Sequence, residues 1–119
     1  MIDCPVCKSK LTLSRLHCGG CGLNIEGELR LPRLARLSAH DISLAEQMIL
    51  CGGNLKDIAT QIGVSYPTLR RRVDEMITAL RTLKQDDDKL VASILEAIEK
   101  GTLKSEEGIR KIREVQGEI

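Results

Sequence analysis

The 119-residue sequence predicts a mainly α-helical protein built in three parts. Two cysteine pairs near the N-terminus, each spaced C-x-x-C, indicate a small β zinc ribbon over residues 1–31. Between Asn54 and Leu83, apolar residues recur at helical intervals around a central glycine, which indicates a helix-turn-helix bundle over residues 32–84. Two further amphipathic stretches predict a C-terminal helical hairpin over residues 85–119.

The cysteines of the ribbon are Cys4 and Cys7 in one pair and Cys18 and Cys21 in the other, with ten residues between the pairs. This spacing suits four thiolates around one tetrahedral zinc ion, and a site whose four positions are all filled is structural. About thirty residues bury too little surface to fold alone, so zinc binding would supply on the order of 10 kcal/mol of folding free energy. Alternating apolar residues predict short strands beside the pairs: Leu11, Leu13, Leu23 and Ile25.

Three other interpretations of these cysteines stay open. Disulfides need an oxidising compartment, but the start MIDCPVC lacks the features of a signal peptide, so a cytoplasmic location is expected. Iron can occupy the same spacing, although rubredoxins surround iron with aromatic residues that this chain lacks. A thiol redox switch is the third. His17 is expected at the surface rather than as a ligand, and Cys51 is expected to pack as a small hydrophobe.

The next segment, residues 31–37, is too apolar for a free linker and is expected to pack its leucines on the helices after it. Ser38 and Asp41 then predict a capping box that opens a supporting helix, with His40 exposed in its first turn and Gly52-Gly53 at its end. Four residues of this helix are expected to face inward: Ile42, Ala45, Met48 and Ile49.

The helix-turn-helix has a physical reason for each of its main positions. Asn54 can cap its first helix, and Gly63 supplies the left-handed turn. Ser65 is a good cap for the second helix, which tolerates Pro67 in its first turn. The inward face of the first helix consists of Leu55, Ile58, Ala59 and Ile62, and that of the second of Leu69, Val73, Met76, Leu80 and Leu83.

The start of the second helix is the predicted DNA-binding surface, because the N-terminal residues of a recognition helix reach base edges. The candidate groove-facing residues are Ser65, Tyr66, Thr68, Arg70 and Arg71, and the candidate phosphate contacts are Arg72 and Lys56. An arginine run is often only a solvated helix face, and the preceding helix and glycine turn favour DNA here. Since Tyr66 is the only aromatic residue, duplex DNA is favoured over single strands, which bind by stacking on aromatic side chains.

After the bundle, Asp86 to Asp88 are expected to end the long helix or to cap the next one, which should stop at Gly101. A last helix should begin near Ser105. The apolar faces of these two helices are Leu90, Ile94 and Ile98, then Ile109, Ile112, Val115 and Ile119. A hairpin of this size cannot hide both faces, so a homodimer is favoured, with packing inside one chain as the alternative.

Charge is unevenly distributed along the chain. Residues 32–84 carry eight Lys or Arg against five Asp or Glu, net +3, whereas residues 85–119 carry six against nine, net −3. A weakly basic middle predicts modest, salt-sensitive DNA binding. The sequence contains no membrane segment, no phosphate-binding glycine loop and no nucleophile with a paired base, so neither membrane insertion nor enzymatic activity is expected.

The succession of CPVC, CGGC, LPRLARLS and GNLKDIATQIGVSYPTLRRRVDEMI resembles a small prokaryotic family with a zinc ribbon and a helix-turn-helix, catalogued as a domain of unknown function. The resemblance covers about residues 1 to 83. GVSYPTLRRRVDEM is also similar to the DNA-binding part of sigma-factor region four, with Leu69 and Val73 at core positions, although its arginine run is denser than that pattern requires. The resemblance implies a transcriptional regulator with metal on the four ribbon cysteines.

The sequence therefore supports two functions. The first is a cytoplasmic regulator that binds double-stranded DNA as a homodimer. The second is an adaptor whose ribbon or hairpin binds a protein such as RNA polymerase. A metal- or thiol-sensing switch is a third hypothesis.

Overall fold

A computed structural model describes residues 3–117 of the chain. The expectation for Ile119 therefore lies outside the described residues, as do Met1, Ile2 and Glu118. The order of elements is β1 (Leu13–His17), β2 (Asn24–Leu29), a 3-10 turn (Leu34–Arg36), α1 (Ala39–Leu50), α2 (Leu55–Ile62), α3 (Tyr66–Glu99) and α4 (Ser105–Val115). The chain is 59% helical, which confirms the mainly α class.

The N-terminal module is a two-stranded antiparallel sheet. Leu13 pairs with Leu29 and His17 with Asn24, with an irregularity between Leu13 and Arg15. His17 is exposed and its Nδ1 is 2.6 Å from Oδ1 of Asn24, as expected of a surface residue. The residues of this module are mostly exposed, so it has little core of its own.

Helix α1 begins as the capping box predicts, with the Asp41 N–H donating to Oγ of Ser38 at 3.2 Å. Its inward face differs from the expectation. Leu44 is buried, whereas Ile42 and Ile49 are 40% and 75% exposed. At about 100° of rotation per residue, Ile42 and Ile49 lie some 140–160° from Leu44, on the side of α1 that has no other described helix packed on it. Ala45, Met48 and Cys51 pack beside Leu44 on the core, and Cys51 is half-buried as expected.

The helix-turn-helix forms with the predicted caps. Oδ1 of Asn54 accepts hydrogen bonds from the N–H groups of Lys56 and Asp57. Gly63 ends α2 in the left-handed conformation, with φ of 79°. The seam of α3 also lies inward as predicted. One buried cluster joins the connector, which is residues 30–38 between β2 and α1, to these helices and consists of Leu37, Leu44, Ile58, Ala59, Leu69, Val73 and Met76. Ile62 was expected on the inward face of α2 but is 36% exposed and is not part of this cluster.

The predicted break at Asp86 to Asp88 is wrong, because α3 continues unbroken for 34 residues. Asp87 is buried, and Lys84 pairs with Asp88 one turn later at 3.2 Å, so these aspartates are accommodated within the helix. A helix of this length spans about 51 Å. It therefore accounts for most of the 54 Å long axis of the molecule.

The C-terminal hairpin consists of the second half of α3 and helix α4. Gly101 makes the turn with φ of 76°, and α4 begins at Ser105 as predicted. Ile94 and Val115 are buried between the helices. Leu90 and Ile109, expected on the same apolar faces, are 37% and 50% exposed.

The molecule is more open than a compact domain of its length. Its radius of gyration is 18.3 Å, against about 13.5 Å expected for a compact chain of this size. Its accessible surface is 9012 Å², against about 6,400 Å² for a typical monomer of this mass. A substantial part of this surface is therefore available for partners.

Candidate metal centre and nucleic-acid surface

The two cysteine pairs lie on backbone turns with the same hydrogen-bond pattern. In the first turn, the Cys4 carbonyl accepts from the Lys8 N–H at 2.9 Å and the Cys4 N–H donates to the Ser9 carbonyl at 2.8 Å. In the second, the Cys18 carbonyl accepts from the Gly22 N–H at 2.9 Å and the Cys18 N–H donates to the Leu23 carbonyl at 2.8 Å. Two matched turns of this kind present two thiols each, as a tetrahedral four-thiolate site requires.

The same position of each turn has a left-handed backbone. In the second turn it is Gly22, with φ of 79°, and in the first it is Lys8, with φ of 64°. Within residues 3–117, Lys8 is the only non-glycine residue with a positive φ. The left-handed region costs an L-residue about 1–2 kcal/mol. This turn therefore keeps its shape at a conformational cost, as functional sites often do.

Two of the four ribbon thiols, Cys7 and Cys18, have surroundings that favour metal binding. All five cysteines are free. Hydrogen bonds from the Ser9 hydroxyl and N–H hold the pKa of Cys7 below its usual value, and those from the Cys21 N–H and thiol lower the pKa of Cys18. Lower thiol pKa values favour the thiolate, which is the form that binds metals. Within residues 3–117 no group of three or more His, Cys, Asp or Glu side chains converges on one point, although the two cysteine pairs lie near each other.

The predicted DNA-binding residues lie at the N-termini of α2 and α3. Lys56 is exposed in the first turn of α2, and Tyr66 is 47% exposed at the start of α3. Ser65 is the cap of α3, and its Oγ accepts from the Thr68 N–H at 3.3 Å. It also donates to Oγ1 of Thr68 at 2.9 Å, so these two hydroxyl groups are already bonded to each other.

The three arginines of α3 differ in environment. Arg70 is exposed and lies 3.3 Å from Asp74, one turn later. Arg71 is exposed and has no ion-pair partner among residues 3–117. Arg72 is half-buried. Between Ser65 and Arg71, only Leu69 and Thr68 turn away from solvent wholly or in part, so the outer side of this edge is exposed. Its assignment to DNA stays a prediction.

Sequence reasoning missed a buried ion cluster between the connector and α3. The side chain of Asp87 is only 2% exposed, and its carboxylate binds three guanidinium groups. Nη2 of Arg30 lies 2.6 Å from Oδ1, Nε of Arg33 lies 3.0 Å from Oδ2, and Nη2 of Arg36 also contacts Oδ2. We call these four residues the Asp87 cluster; it ties the segment after the ribbon to the middle of α3.

The Asp87 cluster holds its carboxylate ionised. Burial alone would raise the pKa of Asp87, but the hydrogen bonds from Arg36, Arg30 and Arg33 outweigh it and bring the pKa to about 2. A sequence signal existed, since the three arginines recur at every third position of the connector. That spacing alone does not identify the partner, because Asp86, Asp87 and Asp88 are equivalent in sequence and only packing separates them.

None of the helices described in residues 3–117 has the length and apolar character needed to cross a membrane.

Fold and site together define the class: a protein with a zinc-ribbon module and a helix-turn-helix, in which an ion cluster ties the connector to the long helix α3. The chain belongs to the DUF2089 family, whose zinc-ribbon model matches residues 4–35 and whose helix-turn-helix model, described as a domain of unknown function, matches residues 37–83. No match was found among curated proteins or solved structures. The family confirms the expected combination of modules and suggests nucleic-acid binding.

Proposed function

We propose that this protein is a transcriptional regulator that binds double-stranded DNA through the N-terminal edge of α3. The observation that carries the proposal is the open edge from Ser65 to Arg71, which comes after a capped and correctly turned α2. Tyr66 and Arg71 are exposed there, so a helix with both polar and cationic side chains is free to enter a major groove. The proposal involves no catalytic step.

DNA binding is tested by the salt dependence of affinity for duplex fragments. Each phosphate contact that is lost should reduce the slope of log K against log salt by about one. Arg70→Ala with Arg71→Ala should therefore flatten the slope by about two units, whereas Arg110→Ala on α4 should leave it unchanged. Equal slopes for all three proteins would refute this surface. If the slopes differ as expected, enrichment of genomic fragments by the wild-type protein would identify the target sequence.

We further infer that the ribbon holds one structural zinc ion on Cys4, Cys7, Cys18 and Cys21. Zinc would supply the folding free energy that this exposed module cannot obtain from burial. Native mass spectrometry should detect one zinc per chain, lost when Cys4 and Cys18 become Ser. Cys51→Ser is the matched control and should retain the metal, since Cys51 packs on the helical core. Iron in place of zinc would identify the rubredoxin-like alternative.

We infer that two copies of the protein associate through the C-terminal hairpin. Leu95 and Ile109 are 53% and 50% exposed there, and the excess surface of about 2,600 Å² is comparable to what dimers bury. Leu95→Glu with Ile109→Glu should convert the dimer to a monomer in light scattering. Ile49→Glu on α1 is the control. If only Ile49→Glu dissociates the dimer, the interface lies on α1 and not on the hairpin.

The adaptor function is the second candidate, because the ribbon exposes several apolar side chains. They are Val6, Leu16, Leu23 and Ile25, each at least 49% exposed. Solvent-exposed apolar residues clustered on one module suit a protein partner. Absence of duplex binding at low salt, together with capture of purified RNA polymerase by the zinc-loaded protein, would favour this function over DNA binding.

A further inference from the structure

An apolar groove lies on the side of α1 that faces away from the buried cluster, and neither the proposed DNA binding nor zinc binding uses it. It lies between α1 and the 3-10 turn and has a volume of about 370 Å³. Its large aliphatic residues are Leu34, Ile42, Ile49 and Leu50, and the last two are 75% and 78% exposed. We call this feature the α1 groove.

The shape of the α1 groove suits a helix. Ala35 and Ala45 also line it and are half-buried, whereas the larger aliphatic residues around them are exposed. Small side chains surrounded by larger ones form a hole into which an apolar side chain of a partner helix can insert. Ile42, Ala45 and Ile49 are three and four residues apart, which is the spacing of a helix face that packs on another helix. With 12 residues, α1 is about 18 Å long and matches about three turns of a partner.

The α1 groove carries negative charge. Glu46 is the one charged residue in its lining, and the arginines of the Asp87 cluster do not line it. Glu46 is exposed and has no ion pair with another residue of the described range 3–117. It lies one helical turn from both Ile42 and Leu50, so its carboxylate stands within the apolar face. The C-terminus of α1, beside Leu50, adds the negative end of the helix dipole, and the last turn of α1 contains no basic residue.

This charge distinguishes between the candidate occupants of the groove. The face runs from Ile42 to Leu50, and Glu46 is at its midpoint. A two-fold contact between two copies through the centre of this face would place two Glu46 carboxylates against each other, and like charges in contact oppose association. The same carboxylate repels the phosphates of DNA. A helix with a basic side chain among its apolar residues complements both the apolar face and its charge.

We propose that the α1 groove is a docking site for a basic amphipathic helix of another protein. Apolar side chains of that helix pack over Ala35 and Ala45, between the exposed leucine and isoleucine side chains, and a Lys or Arg of the helix pairs with Glu46. The groove contains none of the proposed DNA-binding residues, so this partner does not compete with DNA for the same side chains.

The first test compares two synthetic helical peptides of about 15 residues that differ in a single residue. Both have leucines on one face and glutamines and alanines on the other, and the central residue of the leucine face is Lys in one peptide and Glu in the other. Fluorescence anisotropy with the full-length, zinc-loaded protein should give a dissociation constant below about 100 μM for the Lys peptide and at least about tenfold weaker binding of the Glu peptide. Equal affinities would indicate general apolar adsorption and overturn the proposal, as would absence of saturable binding of the Lys peptide.

A charge exchange tests the role of Glu46. Glu46→Lys should reverse the preference, so that the Glu peptide binds more tightly than the Lys peptide. Glu99→Lys makes the same change of charge at the exposed end of α3 and should preserve the original preference. If Glu46→Lys leaves the preference unchanged, the peptide does not pair with Glu46 and the proposal is wrong.

Matched apolar variants locate the contact. Ile49→Ala with Leu50→Ala should weaken binding of the Lys peptide at least about tenfold, and because both side chains are exposed, the fold is retained. Leu23→Ala with Ile25→Ala on the ribbon is the control and should leave the affinity unchanged. Weaker binding of the control alone would refute the location. A decrease in oligomeric mass of the Ile49→Ala, Leu50→Ala variant in light scattering would assign the groove to a second copy and overturn the proposal. None of these measurements requires DNA, so their failure is distinguishable from failure of the proposed DNA binding.

Discussion

Replacement of Asp87 by Asn tests whether one buried carboxylate joins the ribbon segment to the helical body. The substitution keeps the size of the side chain but removes its charge, so three arginines lose their common anion. Asp88 provides a matched control in the next position. Its side chain is 63% exposed and pairs with Lys84, so Asp88→Asn removes the same charge without disturbing a buried group.

The expected loss of stability can be estimated in two ways. A pKa of about 2 for Asp87, against an ordinary value of 3.8, corresponds to about 2 kcal/mol in favour of the folded state at neutral pH. Removal of one partner of a buried ion pair typically costs about 3–5 kcal/mol. Arg30 and Arg33 are about one-third exposed and can partly turn to water, which moderates that cost. We therefore expect Asp87→Asn to cost about 3 kcal/mol.

Urea unfolding followed by circular dichroism at pH 7 measures this difference. For a chain of this length, 3 kcal/mol corresponds to a decrease in Tm of about 12 °C. Asp88→Asn should change the free energy of unfolding by less than about 0.5 kcal/mol. If the two variants are equally stable, the Asp87 cluster contributes nothing to folding and the reasoning is wrong.

The pH dependence has a definite sign. The folded-state pKa of Asp87 is depressed, so its contribution is complete above the ordinary value of 3.8 and is lost as pH falls toward about 2. Unfolding free energies of wild type and Asp87→Asn should therefore converge over this window. A difference that persists unchanged at pH 2 would contradict the assignment of the effect to the ionised carboxylate.

Three further predictions concern the turns and the hairpin. Gly22→Ala should lower the free energy of unfolding by about 1 kcal/mol, because position 22 has a left-handed backbone, and should weaken zinc binding about fivefold in a chelator competition. Lys8→Gly should change zinc affinity less than about twofold. Chelation of zinc should abolish the sheet resonances in NMR spectra but preserve the helical circular dichroism, since the helices have their own core; joint loss of both would contradict this independence. Gly108→Val should cost at least about 1 kcal/mol in thermal unfolding, because a Cβ there would meet Cγ1 of Ile98 at 2.6 Å, and an unchanged Tm would show that α4 adjusts freely.

Local features of this chain were predictable because each depends on a few neighbouring residues. Ser38, Asn54 and Ser65 cap helices where their side chains and positions indicate. Gly63 makes the turn because its left-handed backbone suits glycine. The cysteine spacing likewise identifies the ribbon, and the α3 seam from Leu69 to Leu83 agrees with helical periodicity.

Sequence patterns are misleading about which face of a helix is buried and about which residue forms a given ion pair. Ile42 and Ile49 are as apolar as Leu44, and only the position of α2 and α3 decides which side of α1 is buried. The run from Asp86 to Asp88 predicts an interruption because isolated aspartates favour caps and turns, yet the arginines of the connector stabilise Asp87 inside the helix.

Sequence alone determined the modules of this protein: a four-cysteine ribbon, a helix-turn-helix and apolar helices after it. Tertiary structure decided how they are joined, since α3 passes without a break from the proposed DNA-binding edge to the hairpin, and Asp87 gathers arginines that lie more than fifty residues away in sequence. The physical reason is the separation in sequence between the residues that each feature depends on. Caps and turns depend on neighbouring residues, whereas the ionisation of a buried carboxylate and the burial of one helix face depend on distant segments.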